Sequence, residues 1–215
     1  MIVLLEIDEE RQVAPEKTSA SKSFRKCVDF HGHLCPGLAI GFQAARILLS
    51  RLGASKAPDE ELVAFVENDA CGADAIQVMT GCTFGKGNFI FKDYGKHAFT
   101  LAARKRGRAI RVCLKPDVLK SDPEHLSLFE KVQRDAASPK DKERFWSLHK
   151  KRAETILETN PESLFMTEEV TIDLPPKARI TPSEKCDICG ELTKIDLLRE
   201  IDGKRVCIPC TPMGS

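Results

Sequence analysis

The chain has 215 residues, 33 Lys and Arg against 32 Asp and Glu, and a formal net charge of +1. With 42% hydrophobic and 30% charged residues it reads as a globular protein large enough for at least one packed core. The balanced charge excludes a global field favouring nucleic acid or acidic lipid, and the apolar start MIVLLEI, broken by Glu6 and Asp8, is too short for a secretory or membrane-spanning segment, so a cytoplasmic protein with no membrane association is expected.

Residues 1–20 are polar and read as a peripheral segment. The stretch FHGHLCPG, Phe30 to Gly37, sets His31, His33 and Cys35 at alternate positions. Imidazole and thiolate are transition-metal ligands, and they are equally a base and its nucleophile. If residues 31–35 are extended, all three side chains share one face, and His33 and Cys35 form the natural pair.

Pro36 suits a first helical turn, and Leu38, Phe42, Ala45, Leu49 and Leu52 recur at helical spacing up to a stop at Gly53. ELVAFVEN reads as a short strand. DACGADAIQVMTG reads as a helix that starts at Cys71 and ends at Gly81. Cys35 and Cys71 thus both lie at helix starts, where free N–H groups and the helix dipole favour a thiolate. GCTFGKGN follows, with Cys82 and with Lys86 able to meet an anion, but it lacks the spacing of a phosphate loop. NFIFKDYG, HAFTLAARK and RAIRVCLK read as three strands, and Cys113 in the last as an inert core thiol.

Helical signals dominate from Pro123 to Asn160, with Ser138 as a cap before Pro139. EEVTIDL returns as a strand, and the proline-rich stretch after it reads as a linker. The expected organisation is an α+β core over 1–173, a linker over 174–182 and a small module over 183–215.

Nine cysteines without an export signal fit reduced, metal-binding thiols better than a disulfide framework. Cys186-x2-Cys189 and Cys207-x2-Cys210 are two knuckles, and Asp202–Gly203 between them favours a tight hairpin turn. Four thiolates at this spacing define a zinc ribbon with structural zinc, or an iron centre with the same ligands. So small a module draws much of its folding energy from the metal, on the order of 10 kcal/mol. Its five Lys and Arg face six Asp and Glu, which argues against a nucleic-acid surface and for a structural or protein-contact role.

FHGHLCPG, NDACGADAIQVMTGCTFGKGN and DYGKHAFTLAARKRGRAIRV together resemble the FmdE family, which is named after formylmethanofuran dehydrogenase. The resemblance implies an α+β core found as an intertwined homodimer, with a C-terminal zinc finger in some members. It also implies a cavity lined by the His-x-Cys motif, here His33 and Cys35, with Cys71 nearby. The expected function is therefore a metal-binding, thiol-containing accessory or enzyme-like protein of redox or one-carbon chemistry. His33, Cys35 and Cys71 are its candidate catalytic residues, and His31, His33 and Cys35 are the candidate ligands of a second transition metal. The alternative is a non-enzymatic metal sensor or regulator whose ribbon contacts protein or nucleic acid.

Overall fold

Ser21 begins the first element by accepting a hydrogen bond from the Phe24 N–H at 3.2 Å, and α1 runs Lys22–His31. This cap satisfies one of the four N–H groups that every helix start leaves unpaired. The computed structural model describes residues 21–120 and 122–212; the expected peripheral segment 1–20 lies outside them. A helix this close to the start was not expected from the sequence. Its apolar signal is thin, because only Phe24 and Cys27 are buried.

Helix α2 (Pro36–Leu52) is the spine of the core. The spacing of its apolar residues predicts one buried stripe, yet twelve of its positions are buried, Gln43 among them. It is enclosed by α3 (Gly72–Thr80), by α5 (Pro139–Glu158) and by the sheet. Gln43 makes its burial tolerable: its amide donates to the carbonyls of Ile156, Leu157 and Thr159 at 2.9–3.0 Å. Those are carbonyls at the C-terminal end of α5, where a helix runs out of its own N–H donors; of the three, Ile156 also receives the Thr159 N–H, at 3.3 Å.

The sheet has five strands: β1 (Leu62–Val66), β2 (Phe89–Phe91), β3 (Ala98–Ala103), β4 (Arg108–Leu114) and β5 (Phe165–Val170). Their order is β2-β1-β3-β4-β5, with β1 and β2 parallel and the other pairs antiparallel. The parallel pair needs a crossover, and α3 is in it. Every residue of β1 and β3 is buried, so the middle of the sheet reads as continuous apolar sequence. The last strand starts earlier than EEVTIDL suggests: Phe165 pairs with Leu114 and Val170 with Ala109, where β4 is nearly spent. Helix α4 (Pro123–Gln133) is separated from α5 by a turn in which Asp135 takes a φ of 52°. Ser138 and Asp141 then form a reciprocal capping box at the start of α5. A single turn, α6 (Pro161–Leu164), leads into β5.

The chain divides into two compact units between Pro176 and Lys177. The second holds two hairpins, β6 (Ser183–Lys185) with β7 (Leu192–Lys194) and β8 (Leu198–Ile201) with β9 (Lys204–Cys207). Asp202 and Gly203 sit at φ 50° and 73°, the left-handed pair that a two-residue hairpin turn requires. Ile195–Leu197, which alternates like a strand, is instead a single 3-10 turn. The fold is thus α+β, followed by a module of zinc-ribbon type. Among the described residues no helix is long and apolar enough to cross a membrane.

Candidate metal centres

Gly32 decides the geometry of the core site. It takes φ 92° and its N–H closes on the Val28 carbonyl at 2.7 Å, ending α1 immediately after His31. That left-handed cap is open to glycine at little cost. Residues 31–35 are therefore not one extended run, and the expected pairing of His33 with Cys35 gives way to another. His31, on the last turn of α1, brings Nε2 to 3.7 Å from Cys35 Sγ. The exposed His33 ring instead lies over that of His31, with centroids 4.5 Å apart.

Cys71 joins from α3. Helices α2 and α3 approach so closely that a Cβ on Gly41 would lie 2.2 Å from the Gly72 carbonyl oxygen, and one on Gly37 would lie 3.1 Å from the Cys71 Cβ. This seam of glycines sets the two helix starts side by side. The potential ligand atoms of His31, Cys35 and Cys71 all lie within 4.8 Å of one another. The trio differs from the expected His31, His33 and Cys35 by exchanging His33 for Cys71, a residue distant in sequence.

The same helix turn supplies a fourth residue. Asp74, one turn after Cys71, places Oδ2 at 2.7 Å from His31 Nδ1. A carboxylate on Nδ1 holds the proton there and leaves Nε2 with a free lone pair toward the thiols, the arrangement common to metal-binding histidines.

Cys35 is the N-cap of α2, and its sulfur accepts the Leu38 N–H at 3.3 Å. The helix start alone favours a thiolate, but burial dominates and, with Cys71 adding to it, pushes the thiol up to about 11. Ionisation of Cys35 at neutral pH thus needs a cation beside it. Cys71 makes no capping hydrogen bond with its side chain.

Other residues of these motifs that could bear chemistry fall elsewhere. Cys82 is fully buried, and desolvation raises its pKa. His97 meets the Asn68 amide at 3.2 Å, and Lys86 donates to the Pro58 carbonyl. Cys113 is half-buried rather than sealed in the core. Sequence reasoning missed His125 on α4 and His149 on α5, which share a hydrogen bond at 3.0 Å between Nε2 and Nδ1; their separation along the chain carries no motif.

In the second unit the four sulfurs of Cys186, Cys189, Cys207 and Cys210 lie within 4.8 Å of one another. Cys189 and Cys207 stand 3.8 Å apart, the edge of a tetrahedron with metal–sulfur bonds near 2.3 Å, which comes to about 3.8 Å. The Cys186 sulfur accepts N–H groups from Cys207 at 3.3 Å and Ile188 at 3.5 Å. Backbone N–H groups, those of Cys189 and Cys207 foremost, hold its pKa down to about 6. Cys210 is pushed up to about 12 by its neighbours, Cys207 first. Four like charges at this distance repel, and a divalent cation is what lets all four ionise. The donor set fits a metal of the zinc class.

Three comparisons bear on these sites. The profile of a family described as "FmdE, Molybdenum formylmethanofuran dehydrogenase operon" matches residues 30–166, which include His31, Cys35, Cys71 and Asp74. A curated protein of Archaeoglobus fulgidus, named a probable S-adenosyl-L-methionine-binding protein, is 31% identical over 204 residues. That match covers 92% of this chain and 54% of the relative, so the chain spans about half the relative's length. The crystal structure of an FmdE-like protein of tungsten formylmethanofuran dehydrogenase type, from Syntrophus aciditrophicus, has a similar fold, with a TM-score of 0.59 at 23% identity over 92% of this chain and 96% of that one.

Proposed function

The chain belongs to the FmdE family, and from that membership we propose that its core unit is a transition-metal centre held by His31, Cys35 and Cys71. The observation that carries this reading is the convergence of one imidazole and two thiols, with a carboxylate fixing the imidazole's tautomer. Two thiolates and an imidazole suit a soft or borderline metal. Three protein ligands leave a coordination position for an external molecule, whereas the four thiolates of the ribbon close theirs, so the ribbon's metal is assigned as structural zinc. Such a metal, when bound in the core, supplies Lewis-acid or redox chemistry, and family membership supports a redox or one-carbon reaction.

The chain's own residues have separate parts. Asp74 holds the proton of His31 on Nδ1. Cys35 and Cys71 carry the negative charge. His33, tilted against the His31 ring and exposed, stands between that ligand and solvent.

The test is metal analysis after anaerobic purification of the wild type, Cys35→Ser and Cys71→Ser. Two metals per chain are expected in the wild type, and one, the ribbon's, in each variant. A wild type that holds only the ribbon metal overturns the core assignment.

A second reading is a metal-responsive regulator that works through its ribbon. It is supported by Ile188, Leu192, Leu197 and Ile208, all about half or more exposed on a module too small to bury them. Turnover of a one-carbon substrate by the metal-loaded chain separates the two readings. The name of the Archaeoglobus relative adds S-adenosylmethionine as a ligand to try, by equilibrium dialysis against the full chain. A homodimer, expected from the resemblance, is tested by sedimentation of the same preparation.

A further inference from the structure

The core unit holds a cavity of about 400 Å³ between α5 and the segment that leads from β4 to α4. None of His31, Cys35 and Cys71 lines it. Its lining combines apolar side chains, Val118, Leu119, Leu148 and Ile156, with charged ones. Three cations line it, Lys120, Lys151 and Arg152, against two carboxylates, Asp117 and Asp122. Among the described residues none of the three cations is in an ion pair. Arg152 donates instead to the carbonyls of Leu119 and Lys120, which fixes its position without pairing it to a carboxylate. The Asp122 carboxylate is engaged in capping α4 through the Glu124 N–H. The lining therefore carries one net positive charge.

His125 also lines the cavity. It is 8% exposed, stacks on Phe145 and bonds His149 through Nε2, while its Nδ1 has no partner among the described residues. A buried ring nitrogen without a partner is costly unless something else supplies the bond. Burial and the Arg152 charge keep His125 below its ordinary pKa, so it is a neutral ring that can offer an acceptor or a donor according to tautomer.

We propose that this cavity binds a small monoanionic organic acid: a carboxylate borne on an apolar chain or ring. One net positive charge matches a monoanion better than a phosphate dianion, and the four apolar side chains of the lining match a hydrocarbon body. Lys151 and Arg152 face the carboxylate, and Val118, Leu148 and Ile156 face the body.

The experiment is calorimetric titration of the full-length chain with hexanoate, acetate and hexan-1-ol, with the histidine ring resonances followed by NMR. Hexanoate is expected to saturate one site per chain and to shift the His125 ring. Acetate, which lacks the body, and hexanol, which lacks the charge, are expected to bind at least about tenfold more weakly. Lys151→Gln is expected to weaken hexanoate about fivefold, the worth of one exposed ion pair. Thr155→Trp, which fills the cavity from an exposed position on α5, is expected to abolish binding. Equal responses to hexanoate and hexanol, unchanged binding in a folded Thr155→Trp, or shifts confined to histidines other than His125 would each overturn the proposal.

Discussion

His31 Nδ1 stands 2.7 Å from Asp74 Oδ2, and that one bond commits the other nitrogen of the ring to the thiols of Cys35 and Cys71. Because Asp74 keeps a third of its side-chain surface exposed, removing its charge leaves packing intact. Asp74→Asn is expected to weaken metal binding at the core about 10- to 100-fold while the ribbon keeps its metal. Chelator competition read by metal analysis checks this; equal loss from both sites would refute it.

The glycine seam makes a second expectation. Gly41→Ala puts a Cβ into the Gly72 backbone, which cannot step aside as a flexible side chain would. The two helices must separate, at a cost of about 1–3 kcal/mol, and Cys35 parts from Cys71. Urea unfolding is expected to show a lower midpoint, and core metal content to fall with it. An alanine variant of full stability and full metal content would contradict the close packing.

For the ribbon, Cys186→Ser removes a ligand whose sulfur also organises two backbone N–H groups. It is expected to lose the ribbon's metal and the order of both small hairpins while the core, a separate compact unit, keeps its thermal transition. Metal analysis together with calorimetry checks this. Retained ribbon metal would reject the four-thiolate assignment.

Glu67 predicts the acid response. It is almost buried and accepts two hydrogen bonds from Arg111, at 2.7 and 3.0 Å, and that guanidinium holds its pKa below the ordinary 4.5. Its folded pKa is depressed, so its contribution is fully present above the unfolded value and is lost as pH falls through the folded one. Glu67→Gln is therefore expected to lower the unfolding free energy at pH 7, with the gap to wild type closing in acid. Denaturation at several pH values between 7 and 3 measures it, and a gap that stays constant across that range would exclude the linkage.

Where chemistry depends on neighbours in sequence, the residues alone were enough. The spacing of Cys186, Cys189, Cys207 and Cys210 implies a tetrahedral thiolate site because each knuckle is a local turn, and Asp202–Gly203 implies the hairpin because only certain residues accept left-handed backbone. The start of α2 is equally local: Pro36 supplies a fixed φ and Cys35 the cap. Strands were most legible in the middle of the sheet, where β1 and β3 are buried throughout.

The core trio was beyond local reasoning. His31, His33 and Cys35 look like one face until Gly32 ends α1 and turns the chain, a choice made by a backbone angle that the side-chain pattern does not encode. Cys71 and Asp74 reach the site only because Gly37, Gly41 and Gly72 let two helices meet backbone to backbone. The His125–His149 pair likewise exists only where α4 packs on α5. Sequence determined which side chains could bind a metal, since that is a property of single residues and short turns. Tertiary structure decided which of them share a site, since that is set by helix termination and close packing between segments distant in the chain.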